Sequence, residues 1–294
     1  MKVLILANSS GGLYEFRREL LQALREQGFE AVASLPEEDR AAELHALGCR
    51  THLTPISRRG MNPIQDMGLF FRYLRLIKEE RPDVVLTYTI KPNVYGGLAC
   101  ALYGIPYLAN ITGLGSALEN GGLLQRIALF LYRIGLRKAE TVFVQNEMNR
   151  EFAVRRRMAG MDRICLLPGS GVNLERFRRL SFPTERGGIG FLFISRVMRE
   201  KGIEEFFYVA ERIREEFPDT RFTVLGECEE DYRARLAALQ SRGILQYEGR
   251  VSDVRPYLER NECLLHPSFY PEGMSNVLLE AAACGRPLIA ADRS

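Results

Sequence analysis

The feature that most constrains this chain is an alternation of short apolar runs and amphipathic helical stretches that begins at the second residue, lapses once, and begins again. Residues 2–7 form a continuous apolar run of buried-strand type, 8–12 a turn, and 13–27 an amphipathic helix stopped by Gly28. A strand over 29–35, a helix over 37–48 and a short strand over 50–53 follow. Next come a helix over 62–81, ended by Arg81-Pro82, a β-branched run over 83–89 and a helix over 93–103. Residues 106–111 and 141–145 read as further strands around a long helix over 123–139. This order predicts a parallel sheet with helices on both faces, the doubly wound α/β class.

The lapse lies between residues 167 and 184, where Pro168, Gly169, Gly171 and Pro183 punctuate a stretch with no sustained period. Beyond it the alternation restarts with strands at 190–196, 221–226, 245–248, 263–266 and 287–291. Helices are expected at 203–217, 231–240, 254–260 and 275–284. At 294 residues the expectation is two Rossmann-like, doubly wound parallel-sheet domains facing a ligand cleft. Their boundaries are 1–170 and 185–294, with 171–184 as the linker. The second unit stops just after a strand, leaving nothing to cover its faces or edge, so the second domain is expected to be incomplete.

With 46% hydrophobic and 26% charged residues, the composition is that of an ordinary soluble protein. The six cysteines include no C-x-x-C pair and no metal-ligand spacing with the three histidines, which points to reduced thiols in a cytoplasmic protein. The first apolar run is too short for a signal peptide, and the longest apolar stretch, 94–110, is broken by Gly96, Gly97, Gly104 and Pro106. Charge is unevenly spread. Residues 1–180 carry 25 Lys and Arg against 18 Asp and Glu, whereas the remainder carries 15 against 19. A basic first half suits an anionic surface or substrate, although arginine-rich solvated helix faces explain it equally well.

The densest chemistry lies in His266–Gly285, HPSFYPEGMSNVLLEAAACG. Glu272 and Glu280 stand eight residues apart around a Gly-Met-Ser-Asn turn, the first in a Pro-Glu-Gly loop and the second about two turns into a helix. Ser275 or Asn276 is the expected N-cap, and a helix start presents free N–H groups to an anionic or hydroxyl-rich ligand. A capped surface helix with two solvated glutamates is the competing reading. Upstream, Arg196 ends a strand and Lys201 sits five residues on, before a helix. A diphosphate needs that combination of guanidinium, ammonium and helix amides. Successive βα loops open on one edge of a parallel sheet, so cations for a diphosphate and carboxylates for hydroxyls converge there, as in a nucleotide-sugar site. In the first domain, Gly11 and Gly12 allow close backbone approach of a sugar or phosphate after the first strand, or simply make a tight βα turn.

The Arg-x4-Lys pair, the loop Gly226-Glu227, the strand and loop YEGRV over 247–251 and PSFYPEGMSNVLLE together resemble the retaining glycosyltransferases of family four, which have the GT-B fold. In the first half, VVLTYTIKPNVYGGLAC and NITGLGSALENGGLLQRIALFLYRIGLRKAE resemble bacterial members that extend undecaprenyl-diphosphate-linked sugars for capsule, O-antigen or glycoprotein glycan. The resemblance implies a UDP-sugar donor, a lipid-linked glycan acceptor and no nucleic-acid partner. It puts Arg196, Lys201 and Glu272 in the catalytic set, the two cations neutralising the leaving UDP diphosphate. Glu280 would hold the ribose hydroxyls, and Glu272 with the backbone of Gly273, Met274 and Ser275 the donor sugar. Arg250 and Val251 would frame the uracil beside Gly226, with Gly11 and Gly12 beneath the donor. No metal and no cofactor beyond the donor substrate are implied. Where many relatives carry a histidine after the fourth strand, this chain has Tyr88, Thr89 and Lys91. The resemblance assigns the histidine's role to none of them, and Lys91 is a candidate for an acceptor phosphate.

The helix over 123–139 carries Leu123, Leu124, Ile127, Phe130, Leu131 and Ile134, with Arg126, Arg133, Arg137 and Lys138 elsewhere on its surface. Such a helix suits a core position with its arginines in solvent, or peripheral contact with the anionic inner face of the cytoplasmic membrane. Arg58-Arg59 and 155–157 are further candidates for that contact. Two other functions stay open: a truncated, nucleotide-sugar-binding protein with weak or no turnover, and a UDP-sugar 2-epimerase of the same architecture.

Overall fold

The computed structural model describes residues 1–57, 62–114, 118, 122–183, 188–270 and 273–292. Glu272, Arg58 and Arg59, named above, lie outside the described residues. The chain divides into two compact units, residues 1–170 with 271–274, and 171–270 with 275–294.

The first unit holds a seven-stranded sheet in the order β3-β2-β1-β4-β5-β6-β7. Its strands are β1 (Lys2–Leu6), β2 (Glu30–Leu35), β3 (Cys49–Leu53), β4 (Val84–Tyr88), β5 (Tyr107–Ile111), β6 (Thr141–Val144) and β7 (Ile164–Leu166). Every pairing is parallel, with Leu4 opposite Val32 on one side and Val85 on the other. Helices α1 (Ser10–Glu26), α2 (Ala41–Ala46), α3 (Pro63–Glu80), α4 (Gly97–Tyr103), α5 (Gly122–Gly135) and α6 (Glu147–Arg155) connect them. Side chains alternate along the strands into two cores, one around Leu4, Leu6, Tyr73, Tyr107 and Tyr132, the other around Ile5, Leu13, Leu21 and Leu35. The strand order reverses between β1 and β4, which makes the carboxyl ends of those two strands the switch point of the sheet.

The second unit holds a five-stranded parallel sheet in the order β10-β9-β8-β11-β12. Its strands are β8 (Gly190–Ile194), β9 (Arg221–Leu225), β10 (Gln246–Gly249), β11 (Cys263–His266) and β12 (Leu288–Ala290). Helices α7 (Ile203–Glu216), α8 (Arg233–Ser241), α9 (Arg255–Arg260) and α10 (Asn276–Ala283) alternate with them. One face buries Phe193, Phe206, Phe207 and Phe222; the other buries Phe177, Leu192, Leu225 and Leu264. Phe177 comes from the stretch that reads as a linker, and the Leu180 amide donates to the Cys284 carbonyl at 3.1 Å, so these residues pack as part of the second unit. β12 is an edge strand with all three side chains exposed.

Local structure departs from the sequence pattern in instructive places. Asn62 caps α3, its side chain accepting from the Ile64 and Gln65 amides, with Pro63 in the first turn and Arg81 ending the helix at a left-handed φ of 48°. The helix expected from residue 93 begins instead as a π turn, Pro92–Gly96, before α4. α5 ends at Gly135, four residues short of expectation. A Cβ on Gly135 would meet the Val94 Cα at 2.6 Å, and the Tyr107 hydroxyl donates to its carbonyl at 2.6 Å. β7 and α6 escape the sequence reading. β7 is three residues long with two of them exposed, and α6 carries little apolar periodicity.

α5 buries one face and exposes another. Leu123, Leu124, Ile127, Phe130 and Ile134 are all exposed, Leu123 at 73% and Phe130 at 59%, while Ala128, Leu129 and Tyr132 face the core. The helix thus packs its smaller apolar face into the core and leaves the larger one, with Arg126 and Arg133, exposed. On α3, Ile64, Met67 and Phe71 are exposed as well, and α4 packs against both helices.

Candidate functional site

In the second unit, the loops at the carboxyl ends of β8, β9 and β11 are clamped to one another. The Val197 amide donates to the Glu227 carbonyl at 2.8 Å, Glu229 N–H returns to the Val197 carbonyl at 3.2 Å, and Phe269 N–H reaches the Glu200 carbonyl at 2.9 Å. Two glycines make this possible. Gly226 has φ +141°, and a Cβ there would fall 1.7 Å from the Ser195 carbonyl oxygen. Gly202 has φ +77°, and its Cβ would fall 2.2 Å from the Pro267 carbonyl oxygen. The Tyr247 hydroxyl donates to the Gly226 carbonyl at 2.9 Å, which ties β10 into the same edge.

On this frame the structure brings Arg196 and Lys201 together. Arg196 follows β8, and Lys201 ends a 3-10 turn, Arg199–Lys201, that leads through Gly202 into α7. The Arg196 guanidinium lies 5.3 Å and the Lys201 ammonium 4.7 Å from the centre of the Tyr270 ring. Arg196 Nη1 also donates to Glu229 Oε2 at 2.9 Å. Lys201 is 3% exposed, and burial, followed by the Arg196 charge, pulls its ammonium down to about 7 against the opposing pull of Glu229. His266, the last residue of β11, is buried too. Burial first and the Lys201 charge second push its imidazole down to about 4, so it is neutral at physiological pH. The edge thus holds two cations that face one aromatic ring, one half-exposed and one buried, at the start of a helix. Such an arrangement is suited to an anion with two charged groups.

The other predicted residues fall as follows. Arg250 is exposed just past β10, and Val251 packs against the Phe177 core. Glu280 lies on the second turn of α10, half-buried, where its charge helps raise the neighbouring Cys284 thiol after burial. Ser275 is the N-cap of α10 by position, but its hydroxyl makes no capping hydrogen bond. Gly273 and Met274 are counted with the first unit. There the Gly273 amide donates to the Thr112 carbonyl at 3.1 Å and the Met274 amide to Gln145 Oε1 at 3.4 Å, while Asn146 Nδ2 donates to the Gly273 carbonyl at 2.9 Å. Two of the three backbone amides expected to hold a donor sugar, those of Gly273 and Met274, are thus engaged by protein acceptors.

At the switch point of the first unit, the expected glycine turn is corrected. α1 starts at Ser10, so Gly11 and Gly12 lie inside its first turn, and the Gly12 amide donates to Ser9 Oγ at 3.1 Å. The side-chain cap of Ser9 outweighs the poor helix propensity of the two glycines. The Ser10 amide donates to Glu37 Oε1 at 2.9 Å, so a carboxylate already sits at this helix start. After β4, Thr89 takes a left-handed φ of 72°, unusual for a β-branched residue, and Lys91 Nζ donates to Asp66 Oδ1 at 2.7 Å. The sequence reading missed Glu229, Tyr270, Asp66 and Glu37. The acid three residues past Gly226 and the tyrosine before Pro271 carried a signal, because both lie in loops on the Arg196 edge. Asp66 and Glu37 meet their partners only through the fold.

Comparison with known proteins gives a consistent set of similarities. Residues 11–169 match the glycosyl transferase 4-like domain, and residues 188–294 match the glycosyl transferases group 1 domain. The N,N'-diacetylbacillosaminyl-diphospho-undecaprenol alpha-1,3-N-acetylgalactosaminyltransferase of Campylobacter jejuni is 26% identical over 99% of this chain and 81% of its own length. The UDP-Gal:alpha-D-GlcNAc-diphosphoundecaprenol alpha-1,3-galactosyltransferase of Escherichia coli is also 26% identical, over 82% of this chain and 65% of its own length. Among solved structures, Anabaena HepE in complex with UDP and glucose superposes with a TM-score of 0.78 at 17% identity, covering 99% of this chain and 80% of that one. Both sheets of the present chain thus have the GT-B fold.

Proposed function

The chain belongs to the glycosyl transferase 4-like family, and from that premise we propose that it moves a sugar, a hexose or an N-acetylhexosamine, from a UDP-sugar to a glycan carried on undecaprenyl diphosphate. The observation that carries this reading is the placement of Arg196 and Lys201 against the same Tyr270 ring, at the carboxyl edge of β8 and the start of α7. When the sugar–phosphate bond breaks, negative charge grows on the departing UDP. Arg196 offers a planar donor pair, and Lys201 a charge in a dry setting where it acts strongly. This assignment uses no metal ion, since the two cations and the helix start supply the positive field. Glu280 receives the ribose hydroxyls, Arg250 and Val251 border the uracil, and Glu272 serves the sugar. The Gly226 backbone lets the nucleotide approach the sheet edge. The Campylobacter and Escherichia relatives are named for diphospho-undecaprenol acceptors, which supports the acceptor class. The reaction proceeds with retention of the anomeric configuration, as the family resemblance implies, in surface polysaccharide or glycan synthesis.

We place the protein peripherally on the inner face of the cytoplasmic membrane. Five exposed apolar side chains on α5 and three on α3 stand among exposed Arg126, Arg133, Arg137, Lys138 and Arg72, a pattern suited to an anionic lipid surface. No described helix is long and apolar enough to cross a membrane. A screen of UDP-sugars, scored by UDP release with and without a sugar-diphospho-undecaprenol acceptor, tests the reading. Acceptor-dependent release supports it. Release of a C2-epimerised sugar without acceptor would make the protein an epimerase, and the absence of turnover with UDP bound would leave a binding protein.

A further inference from the structure

The pair Asp66–Lys91 sits where a solvated charge pair is not expected. Lys91 Nζ lies 2.7 Å from Asp66 Oδ1, and the two side chains are only 13% and 8% exposed. The Tyr95 phenol faces the same carboxylate, and burial, then the Asp66 charge, pushes it up to about 12. A buried ion pair contributes little net stability, since desolvating both charges offsets their attraction. Two residues before Lys91, Thr89 holds a left-handed backbone, and its Oγ1 is buried with no hydrogen-bond partner among the described residues. Strain of this kind persists where the surroundings hold it in place, and it clusters at binding sites. All of this happens at the carboxyl end of β4, beside β1, at the switch point of the first sheet.

A second observation concerns what lies next to the pair. Asp66 is in the first turn of α3, and Ile64, Met67 and Phe71 on that helix are 85%, 54% and 60% exposed. One short stretch of α3 therefore presents apolar side chains to solvent and, through Asp66, holds a buried cation. A polyprenyl diphosphate joins the same two chemistries, an apolar chain and a dianionic head, through a single bond.

We propose that Lys91 is the cation that binds the diphosphate of the lipid-linked acceptor, and that Asp66 is the counter-ion which this diphosphate displaces. The inference rests on the proposed acceptor class. In the empty protein Asp66 holds the Lys91 ammonium in place. When the acceptor arrives, the ammonium exchanges a carboxylate for phosphate oxygens without ever being left unpaired, and the apolar chain leaves along Ile64, Met67 and Phe71. Asp66 and Tyr95 act as positioning residues, since they reach the substrate only through Lys91.

The test uses the full chain and two acceptors that carry the same sugar, one as a polyprenyl diphosphate and one as a neutral alkyl glycoside. The readout is the ratio of their kcat/KM values. In an Asp66→Asn/Lys91→Met double variant, which leaves no buried carboxylate without its cation, the preference for the diphosphate acceptor falls about tenfold or more. Lys91→Arg keeps most of that preference, and Asp66→Asn alone keeps or raises it. Equal losses with both acceptors would make the pair purely structural and overturn the proposal. So would a rise in the KM for the UDP-sugar in place of the acceptor, which would move Lys91 to the donor's diphosphate. Failure of the unaltered protein to use either acceptor overturns the acceptor reading itself, a result separate from any behaviour of the variants.

Discussion

Arg196 donates through Nη1 to Oε2 of Glu229 at 2.9 Å, so the more exposed of the two cations at the candidate donor site carries its own counter-ion. A diphosphate must compete with that carboxylate for the guanidinium. Arg196→Ala should weaken UDP binding by about 2 kcal/mol, a factor of about 30, the usual worth of a charged hydrogen bond. Glu229→Gln should tighten it by about 1 kcal/mol or less, because it removes the competitor and keeps the shape. Calorimetric titration with UDP checks both. Weaker binding in Glu229→Gln would show that the carboxylate aims Arg196 instead of competing for it.

Lys201 gives the site a pH dependence whose sign can be worked out. Its ammonium is pulled down to about 7 in the folded protein from an ordinary 10.5, by burial first and by Arg196 second. Between about pH 7 and 10.5 the unfolded chain therefore binds more protons at this group, and its contribution to stability rises with pH across that window. Ligand binding moves the opposite way, since a diphosphate needs the charged form. UDP affinity should fall as pH rises above about 7, with proton uptake on binding visible as a buffer-dependent enthalpy. In Lys201→Met the proton uptake should disappear. Uptake that persists in that variant would assign it to another group.

Gly226 holds the β8 and β9 loops in contact, with φ +141° and room for no Cβ beside the Ser195 carbonyl. Gly226→Ala should cost about 2–4 kcal/mol of stability through strain and displacement of that backbone. UDP binding should weaken at a temperature where the variant is still folded, because Arg196 follows Ser195 directly. Thermal melts paired with UDP titration check this. An unshifted melt would contradict the close approach.

The exposed face of α5 makes the membrane reading testable without touching the site. An Ile127→Ser/Phe130→Ser variant replaces two exposed apolar side chains, so its melting temperature should stay within a few degrees of that of the unaltered protein. Sedimentation with vesicles rich in anionic lipid should drop severalfold, given about 25 cal/mol per Å² of apolar area withdrawn from water. Unchanged sedimentation would place the lipid contact elsewhere.

The layered architecture was legible in the sequence because parallel strands buried on both faces read as continuous apolar runs, as at Leu4 and Val85, and because α1 and α3 keep one apolar stripe. Arg196 and Lys201 were legible for a related reason: strand ends and helix starts are local features, and a cation at each is visible in one line of sequence. Three things were not. Ser9 pulled Gly11 and Gly12 into a helix through a cap that competes with glycine's preference for turns. α5 has apolar residues on two faces, and periodicity alone cannot tell which one the sheet covers; the small face of Ala128, Leu129 and Tyr132 won because Gly135 lets the helix approach Val94 closely. Glu37 on Ser10 and Asp66 on Lys91 join residues 27 and 25 positions apart, pairings that exist only once the strand order is set.

The central claim is that this chain transfers a sugar from a UDP-sugar to a diphospho-undecaprenol-linked acceptor through the Arg196–Lys201 site. The most direct measurement is mass spectrometry of the acceptor after incubation with single UDP-sugars, run in parallel for the unaltered protein and Arg196→Ala. The account predicts an acceptor heavier by one sugar residue with at least one donor, and a loss of that product of about 100-fold or more in Arg196→Ala, as befits a group that stabilises charge developing on the leaving UDP. An acceptor of unchanged mass with every UDP-sugar, or equal product from both proteins, would contradict it.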